Sequence, residues 1–257
     1  MSTPPAVAWA GADPYAAALR TGRGPLFLRR SDGWLLPLEV ERWCARADPV
    51  DRAVLDRCEG TVLDVGCGPG RLVAELAVRG RTVLGIDVSE AAVEHTVRLG
   101  GQALCRSVFE PLPGEGRWGT VLLMDGNIGI GGDPRALLDR VAHLLCPGGL
   151  LIAETAPVDV DERSEVRVVA GTGAGTGGGV FPWARLGTPA LLRYAGRAGW
   201  RAVGQWTAGG RRFAALRGLP RSRPRRASSR AEPPNSTALI SSQRARKPSG
   251  DRPVAER

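Results

Sequence analysis

Residues 62–71 read VLDVGCGPGR: an apolar run interrupted by one acid, then glycines at three alternate positions, then GRLVAELAVRG, whose apolar residues recur three and four apart. No other stretch constrains the fold as strongly, because a strand, a glycine turn and an amphipathic helix in that order form the first half of a parallel crossover. The alternation continues through RTVLGID, the helix SEAAVEHTVRLG with Ser89 as its cap, the strands QALCRSV and GTVLLMDG, the helix DPRALLDRVAHLL capped by Asp133, and GLLIAETA. Nearly continuous apolar strands between such helices imply βαβ units and a parallel sheet covered on both faces. Right-handed crossovers then make the expected fold α/β and doubly wound.

The first sixty residues read as an extension of mixed α and β character. Asp13-Pro14 is a helix start, with an Asp cap and Pro at the first helical position, and YAAALRTG runs from it to a glycine stop. PLFLRR and WLLPLEV flank Ser31-Asp32-Gly33, a turn triplet able to join two strands, while LEVERWCARA and DPVDRAVLDRC have helical spacing. After Ala156 the alternation lapses, and the glycine cluster Gly171 to Gly179 reads as a loop tip between two extended pieces. TPALLRYAGRAG is a helix, and WRAVGQWTAGGRRFAALRG is a hairpin turning at Gly209-Gly210. From Leu219 the chain is rich in Arg, Pro and Ser and reads as disordered. Three segments are therefore expected: an extension and substrate lid over 1–60, a cofactor domain over 61–218 and a tail over 219–257.

Gly66, Gly68 and Gly70 let the backbone approach a ligand closely, and the helix that follows offers unpaired N–H groups at the positive end of its dipole. A dinucleotide fingerprint would place a glycine where Arg71 stands. Asp87 closes the second strand about twenty residues beyond the loop, where sheets of this kind put an acid on ribose hydroxyls. A carboxylate accepting from both the 2′ and 3′ hydroxyls excludes a 2′-phosphate, so a free ribose is expected. No Tyr-x-x-x-Lys pair exists in a chain whose only lysine is Lys247, which counts against a nicotinamide reductase.

VLDVGCGPGR, VLGIDVS and LLCPGGLLIAE together resemble the ordered signatures of class I S-adenosylmethionine-dependent methyltransferases. The resemblance runs from about Thr61 to Ala156, and the closing helix and hairpin fit that family's last strands. It implies a mostly parallel seven-stranded sheet with an antiparallel C-terminal hairpin strand, and S-adenosylmethionine as cofactor. The cofactor set it implies is Asp64, Gly66, Cys67, Gly68, Gly70, Asp87, Val88, Ser107, Val108 and Asp125. Gly66 and Gly68 would pack on the methionine portion, Asp64 would position the loop or the amino group, and Asp87 would take the ribose. Cys67 reads as a spacer whose backbone matters more than its thiol. Ser107-Val108 stands where the family often has an acid and an apolar residue for adenine, so a hydroxyl replaces a carboxylate there. Asp125 and Asn127, in MDGNIGIGGDP, would face the methionine end and the acceptor, with Asp125 as the proton acceptor; the plainer reading of Asp125-Gly126 is a turn. Tyr15, Trp34, Phe181 and Trp183 are aromatic candidates for the substrate lid, each with an ordinary core role as the alternative. Cys146-Pro147 reverses the order of a cytosine C5 methyltransferase pair and is expected to end a helix.

The formal charge of +9 raises the question of a nucleic-acid partner. Most of that excess lies beyond Leu219, and arginine outnumbers lysine so heavily that a GC-rich coding bias explains much of it. The tail has no aromatics for base stacking, so nucleic acid is an unlikely partner and the expected acceptor is a small molecule. The five cysteines form no Cys-x-x-Cys pair, and His95 and His143 stand far apart, so no metal site is expected. No signal peptide or membrane span is evident, which makes the cytoplasm the expected location. The leading expectation is thus small-molecule methyl transfer. The alternatives are methylation of nucleic acid through the basic tail, or a non-catalytic protein that keeps the cofactor fold. The acceptor atom and the oligomeric state stay open.

Overall fold

The computed structural model describes residues 14–171 and 178–218. The Asp13 cap, most of the glycine cluster and the tail from Leu219 lie outside the described residues. The chain begins with α1 (Pro14–Thr21), β1 (Leu26–Arg30), β2 (Leu35–Leu38), α2 (Val40–Cys44) and α3 (Pro49–Leu55). The alternating region follows as β3 (Val62–Val65), α4 (Arg71–Val78), β4 (Val83–Asp87), α5 (Glu90–Arg98), β5 (Ala103–Cys105), β6 (Trp118–Leu123), α6 (Pro134–Leu144) and β7 (Leu145–Thr155). It closes with β8 (Asp161–Ala170), β9 (Phe181–Leu186), α7 (Thr188–Arg197), β10 (Trp200–Ala208) and β11 (Arg211–Gly218).

The seven-stranded sheet runs β10-β11-β7-β6-β3-β4-β5. Strands β5, β4, β3, β6 and β7 are parallel, and β11 is antiparallel to both β7 and β10. This is the doubly wound sheet with a C-terminal hairpin that the sequence led us to expect. Gly209 and Gly210 turn the hairpin with φ of 56° and 77°, the positive values that a two-residue type I′ turn demands. Side chains alternate between two cores: Leu63, Val65, Val121 and Leu123 join α6 and α7 on one face, while Val62, Leu122 and Met124 join α3 and α4 on the other. Strand order reverses at β3, which has β4 on one side and β6 on the other, so a crevice opens beyond the carboxyl ends of these strands.

A second sheet, ordered β2-β1-β8-β9, is antiparallel throughout. The expected β1–β2 hairpin is present, but β1 also pairs with β8 from Leu26↔Ala170 to Arg30↔Val166. A boundary at residue 60 therefore runs through a sheet built from both sides of it. Leu26, Leu28, Val166, Val168 and Phe181 form its core with Ala18 of α1 and Val40 of α2.

Two local expectations are corrected. LEVERWCARA forms only the short α2, which ends where Ala45 turns extended with ψ of 176°; Pro49 disfavours helical backbone at Asp48, which caps α3 through a capping box with Asp51. Cys146-Pro147 does not end a helix: α6 stops at Leu144 and β7 begins at once. Gly148, with φ of 75°, lies where the β6–β7 register jumps from Trp118↔Leu145 to Thr120↔Leu150.

Gly70 shows how tightly the loop is packed. It holds φ of 87°, and a Cβ there would stand 2.6 Å from Cγ2 and 2.7 Å from Cβ of the fully buried Thr96. Gly70→Ala should destabilise the protein by about 2–4 kcal/mol, the sum of left-handed backbone strain and overpacking. Chemical denaturation checks this; a loss below ~0.5 kcal/mol would show that α5 yields without cost.

Candidate functional site

The glycine loop joins β3 to α4 with Gly66, Gly68 and Gly70 at φ of 70°, 54° and 87°. The amides of Gly66 and Cys67 donate to the carbonyl of Ile86 at 2.8 and 2.9 Å, which pins the loop to β4. Asp87, at the end of β4, accepts from the Gly68 amide and from the Ser89 amide, each at 2.9 Å. Its carboxylate thus orients both the loop and the start of α5. Cys67 is buried, and a Cβ at Gly85 would stand 2.7 Å from its Sγ. Burial, and then the charges of Asp87 and Asp64, push its thiol well above the ordinary range, so the thiol is a packing group and no nucleophile.

Asp64 points from β3 toward the α4 side of the sheet and is 1% exposed. Its Oδ2 is buried with no hydrogen-bond partner. Burial pushes its carboxyl up to about 7; the Arg71 charge opposes this in part, while Asp125, Asp87 and Asp51 add to it. An orphaned carboxylate oxygen beside a glycine turn is the complement of a cation.

The other wall of the crevice follows β6. Asp125 holds φ of 56°, the sole non-glycine residue among the described residues with positive φ. Gly126 follows at 83°, and a short 3-10 turn spans Asn127–Gly129. The Asn127 carboxamide donates to the carbonyls of Val65 and Gly66 at 2.8 and 2.9 Å. It thereby ties this wall to the glycine loop, and its N–H groups are committed to backbone.

Asp125 lies among arginines. Arg42 of α2 pairs with its Oδ1, and Arg71, the first residue of α4, reaches its Oδ2 at 2.8 Å and its Oδ1 at 3.2 Å. Arg211 stands 3.7 Å from Oδ1. Burial would raise the Asp125 carboxyl, but the charges of Arg71 and Arg42 outweigh burial and lower it. A carboxylate held in that way binds protons weakly. Asp51 and Glu154 complete the cluster: Asp51 is fully buried and accepts from Arg71 Nε at 2.9 Å and Arg211 Nη1 at 2.8 Å. Glu154 accepts two bonds from Arg211, at 2.8 and 2.7 Å, and one from the Asp125 amide at 2.9 Å. Sequence reasoning singled out none of Arg42, Asp51, Glu154 and Arg211, and it read Arg71 only as a missing glycine. One signal was present: a cation at a helix N-terminus opposes the dipole and demands an acid nearby.

Helix α1 and strand β9 bring Tyr15 and Trp183 to the turns that border the crevice, whereas Phe181 lies in the core of the small sheet. The Tyr15 hydroxyl lies 3.5 Å from where a Cβ of residue 68 would stand. Tyr15 packs edge-on against Trp43, and Phe181 packs edge-on against Trp183, with ring centroids 6.3 and 6.2 Å apart. Trp183 bridges to Ile130, and a Cβ at Gly129 would stand 2.8 Å from its indole, so β9 closes directly over the turn after β6. Trp34 stands between Arg30 and Arg185, each guanidinium 5.5 Å from its ring centroid. After β5, Ser107 caps a turn: its Oγ accepts from the Phe109 amide, and its own amide donates to Glu110. Val108 is buried in the α6-side core, whereas Val88, beside Asp87, is 41% exposed.

A family model described as a methyltransferase domain matches residues 39–201. The chain belongs to the methyltransferase-domain family. Among curated relatives it is 34% identical over 119 residues to a ubiquinone biosynthesis O-methyltransferase of Dechloromonas aromatica, covering 43% of this chain and 50% of that protein. A protein of the same name from Nitrosomonas europaea is 32% identical over 116 residues, covering 43% of this chain and 49% of that one. The chain thus spans about half the length of the curated relatives it matches. Among solved structures, a methyltransferase from Bacteroides fragilis, in complex with S-adenosyl-L-homocysteine, superposes with a TM-score of 0.67 at 23% identity over 80% of this chain and 95% of that one. The glycopeptide N-methyltransferase MtfA superposes with a TM-score of 0.53 at 18% identity over 68% and 91%. Both share the fold. Among the described residues, no helix is long and apolar enough to cross a membrane.

The raised Asp64 carboxyl has a stability consequence. An unfolded Asp loses its proton near its ordinary value of 3.8, whereas the folded one holds it to about 7. Between these values the folded state binds more protons, so this residue's effect on stability becomes less favourable as pH rises toward 7. Asp64→Asn should therefore stabilise the ligand-free protein at pH 8, on the order of a few kcal/mol, with the gain fading toward pH 4. Thermal denaturation across that pH range checks it; a gain independent of pH would assign the effect to packing.

Proposed function

We propose that this methyltransferase transfers a methyl group from S-adenosylmethionine to a hydroxyl of a small molecule with a flat, apolar body. The observation that carries the cofactor reading is the buried, unpartnered Asp64 Oδ2 beside the glycine loop. A carboxylate so placed fits the ammonium of a methionine moiety. Gly66 and Gly68 fit the close approach of that moiety to the backbone, and Asp87 fits two ribose hydroxyls. The exposed Val88 is the side chain suited to the adenine face. Ser107 and Val108 contribute through the turn they build, since the Ser107 hydroxyl already accepts a backbone N–H and Val108 lies in the core.

When bound, S-adenosylmethionine supplies an electrophilic methyl on its own leaving group. The protein's share is alignment and exclusion of water. Tyr15, Trp43 and Trp183 supply an aromatic wall that would orient a flat acceptor. A role for Asp125 as proton acceptor is disfavoured, because two arginines lower its proton affinity; we assign it to holding the β6 end of the crevice. The names of the curated relatives support oxygen as the acceptor atom. We assign the protein to the cytoplasm, a reading supported by five cysteines that all carry free thiols.

Calorimetry with S-adenosylhomocysteine should show one site on the full chain, weakened at least tenfold by Asp87→Ala. Absence of binding to the unmodified protein would end this reading. In a panel of phenols and catechols assayed by release of S-adenosylhomocysteine, Trp183→Ala should raise acceptor KM about tenfold, the loss of one aromatic contact. Cofactor affinity should stay within twofold; an equal loss of both would place Trp183 in the fold rather than at the acceptor.

A further inference from the structure

The acids and arginines behind the crevice form a closed ring. Asp51 accepts from Arg71; Arg71 holds Asp125; the Asp125 amide donates to Glu154; Glu154 takes two bonds from Arg211; and Arg211 returns to Asp51. Each member comes from a different place: α3, the first turn of α4, the end of β6, the end of β7 and the start of β11. Arg42 joins from α2 through Asp125, so three arginines face Asp51, Asp125 and Glu154. Glu39, at the surface, also pairs with Arg42, and Asp48 stands 3.8 Å from Arg211.

Asp51 is the member with no surface at all. Burial would raise its carboxyl, yet the hydrogen bonds and charges of Arg71 and Arg211 hold it at about 2, so it is ionised throughout the working range. Its two oxygens meet Arg71 at Nε and Nη2, at 2.9 and 3.3 Å, which fixes the plane of that guanidinium. With its plane fixed, Arg71 presents Nη1 and Nη2 to Asp125. Asp125 leads through Gly126 to Asn127, whose amide holds the carbonyls of Val65 and Gly66.

We propose that Asp51 is a positioning residue for the ligand crevice. It acts through Arg71 to hold the left-handed Asp125 turn against the glycine loop, and so sets the gap between the two walls. The inference rests on reading the glycine loop as the cofactor site. Asp51 touches neither that loop nor the expected acceptor wall; it controls the site from behind.

The test compares the full chain with Asp51→Asn, which keeps the shape and one acceptor oxygen while removing the charge, and with Arg71→Lys, which keeps a cation but loses the two-point grip. Amide hydrogen exchange without ligand should quicken at least tenfold at Gly66–Gly70 and Asp125–Asn127 in both variants, with β6 and β7 protected as before. S-adenosylhomocysteine affinity should fall at least tenfold, with acceptor KM within threefold. Uniformly faster exchange, or unchanged exchange in the loop, would overturn the proposal. Should Asp51→Asn not fold, Arg71→Lys decides by the same exchange pattern. If the unmodified protein does not bind S-adenosylhomocysteine, the cofactor reading fails while the exchange pattern still decides the role of Asp51.

Discussion

The Arg71 guanidinium, buried between Asp51 and Asp125, is the interaction on which the rest of the site depends. A cation at the first position of a helix works against the helix dipole, and burying it costs several kcal/mol. Both penalties are offset only because two ionised carboxylates meet it at hydrogen-bond distance along two adjacent edges that share Nη2. One comes from α3, before the sheet begins, and the other from the turn after β6. The pairing therefore joins the glycine loop, the β6 wall and the N-terminal helices into one unit. The two walls of the crevice cannot separate without exposing an unpaired buried charge.

That rigidity suits the chemistry. Methyl transfer from a sulfonium asks little of the protein in acid–base terms and much in alignment, since a nucleophile must approach in line with the departing sulfur. A frame of charge-assisted bonds keeps the loop and its facing turn in place. Asp64 stands inside this frame as the exception. One oxygen of its buried carboxyl, Oδ2, is left without a donor, beside a cation already claimed by two other acids. Structures retain such a group at a cost, and its location beside the glycine loop fits retention for a ligand.

The lid side is built on different principles. The sheet formed by β1, β2, β8 and β9 depends on apolar packing, with aromatic rings at its border with the crevice. It draws strands from two segments of chain far apart in sequence, so the surface that we propose faces the acceptor belongs to neither segment alone. The small sheet and the N-terminal helices meet the glycine-loop frame through Arg42 on Asp125, Tyr15 beside Gly68, and β9 on the turn at Gly129 and Ile130.

Much of the architecture was legible in the sequence because it depends on local rules. Apolar runs between amphipathic helices dictate a covered parallel sheet. Glycines at 66, 68 and 70 mark a turn between strand and helix, and Gly209-Gly210 marks a hairpin; both hold in the fold. The position of Asp87 at the end of its strand was equally plain. Other features had no local signature. The pairing of β1 with β8 brings together residues more than a hundred positions apart, and alternation within each strand does not name its partner. The roles of Asp125 and Asn127 could not be read either: both were placed at the correct strand end, but which groups would meet them depended on α2, α3 and β11. The sequence by itself determined the sheet, the glycine turn and the acids that border it, because backbone conformation and periodic burial are written residue by residue. Only the tertiary structure decided which acids are paired and which is left open, because charge pairing is a property of distances in space.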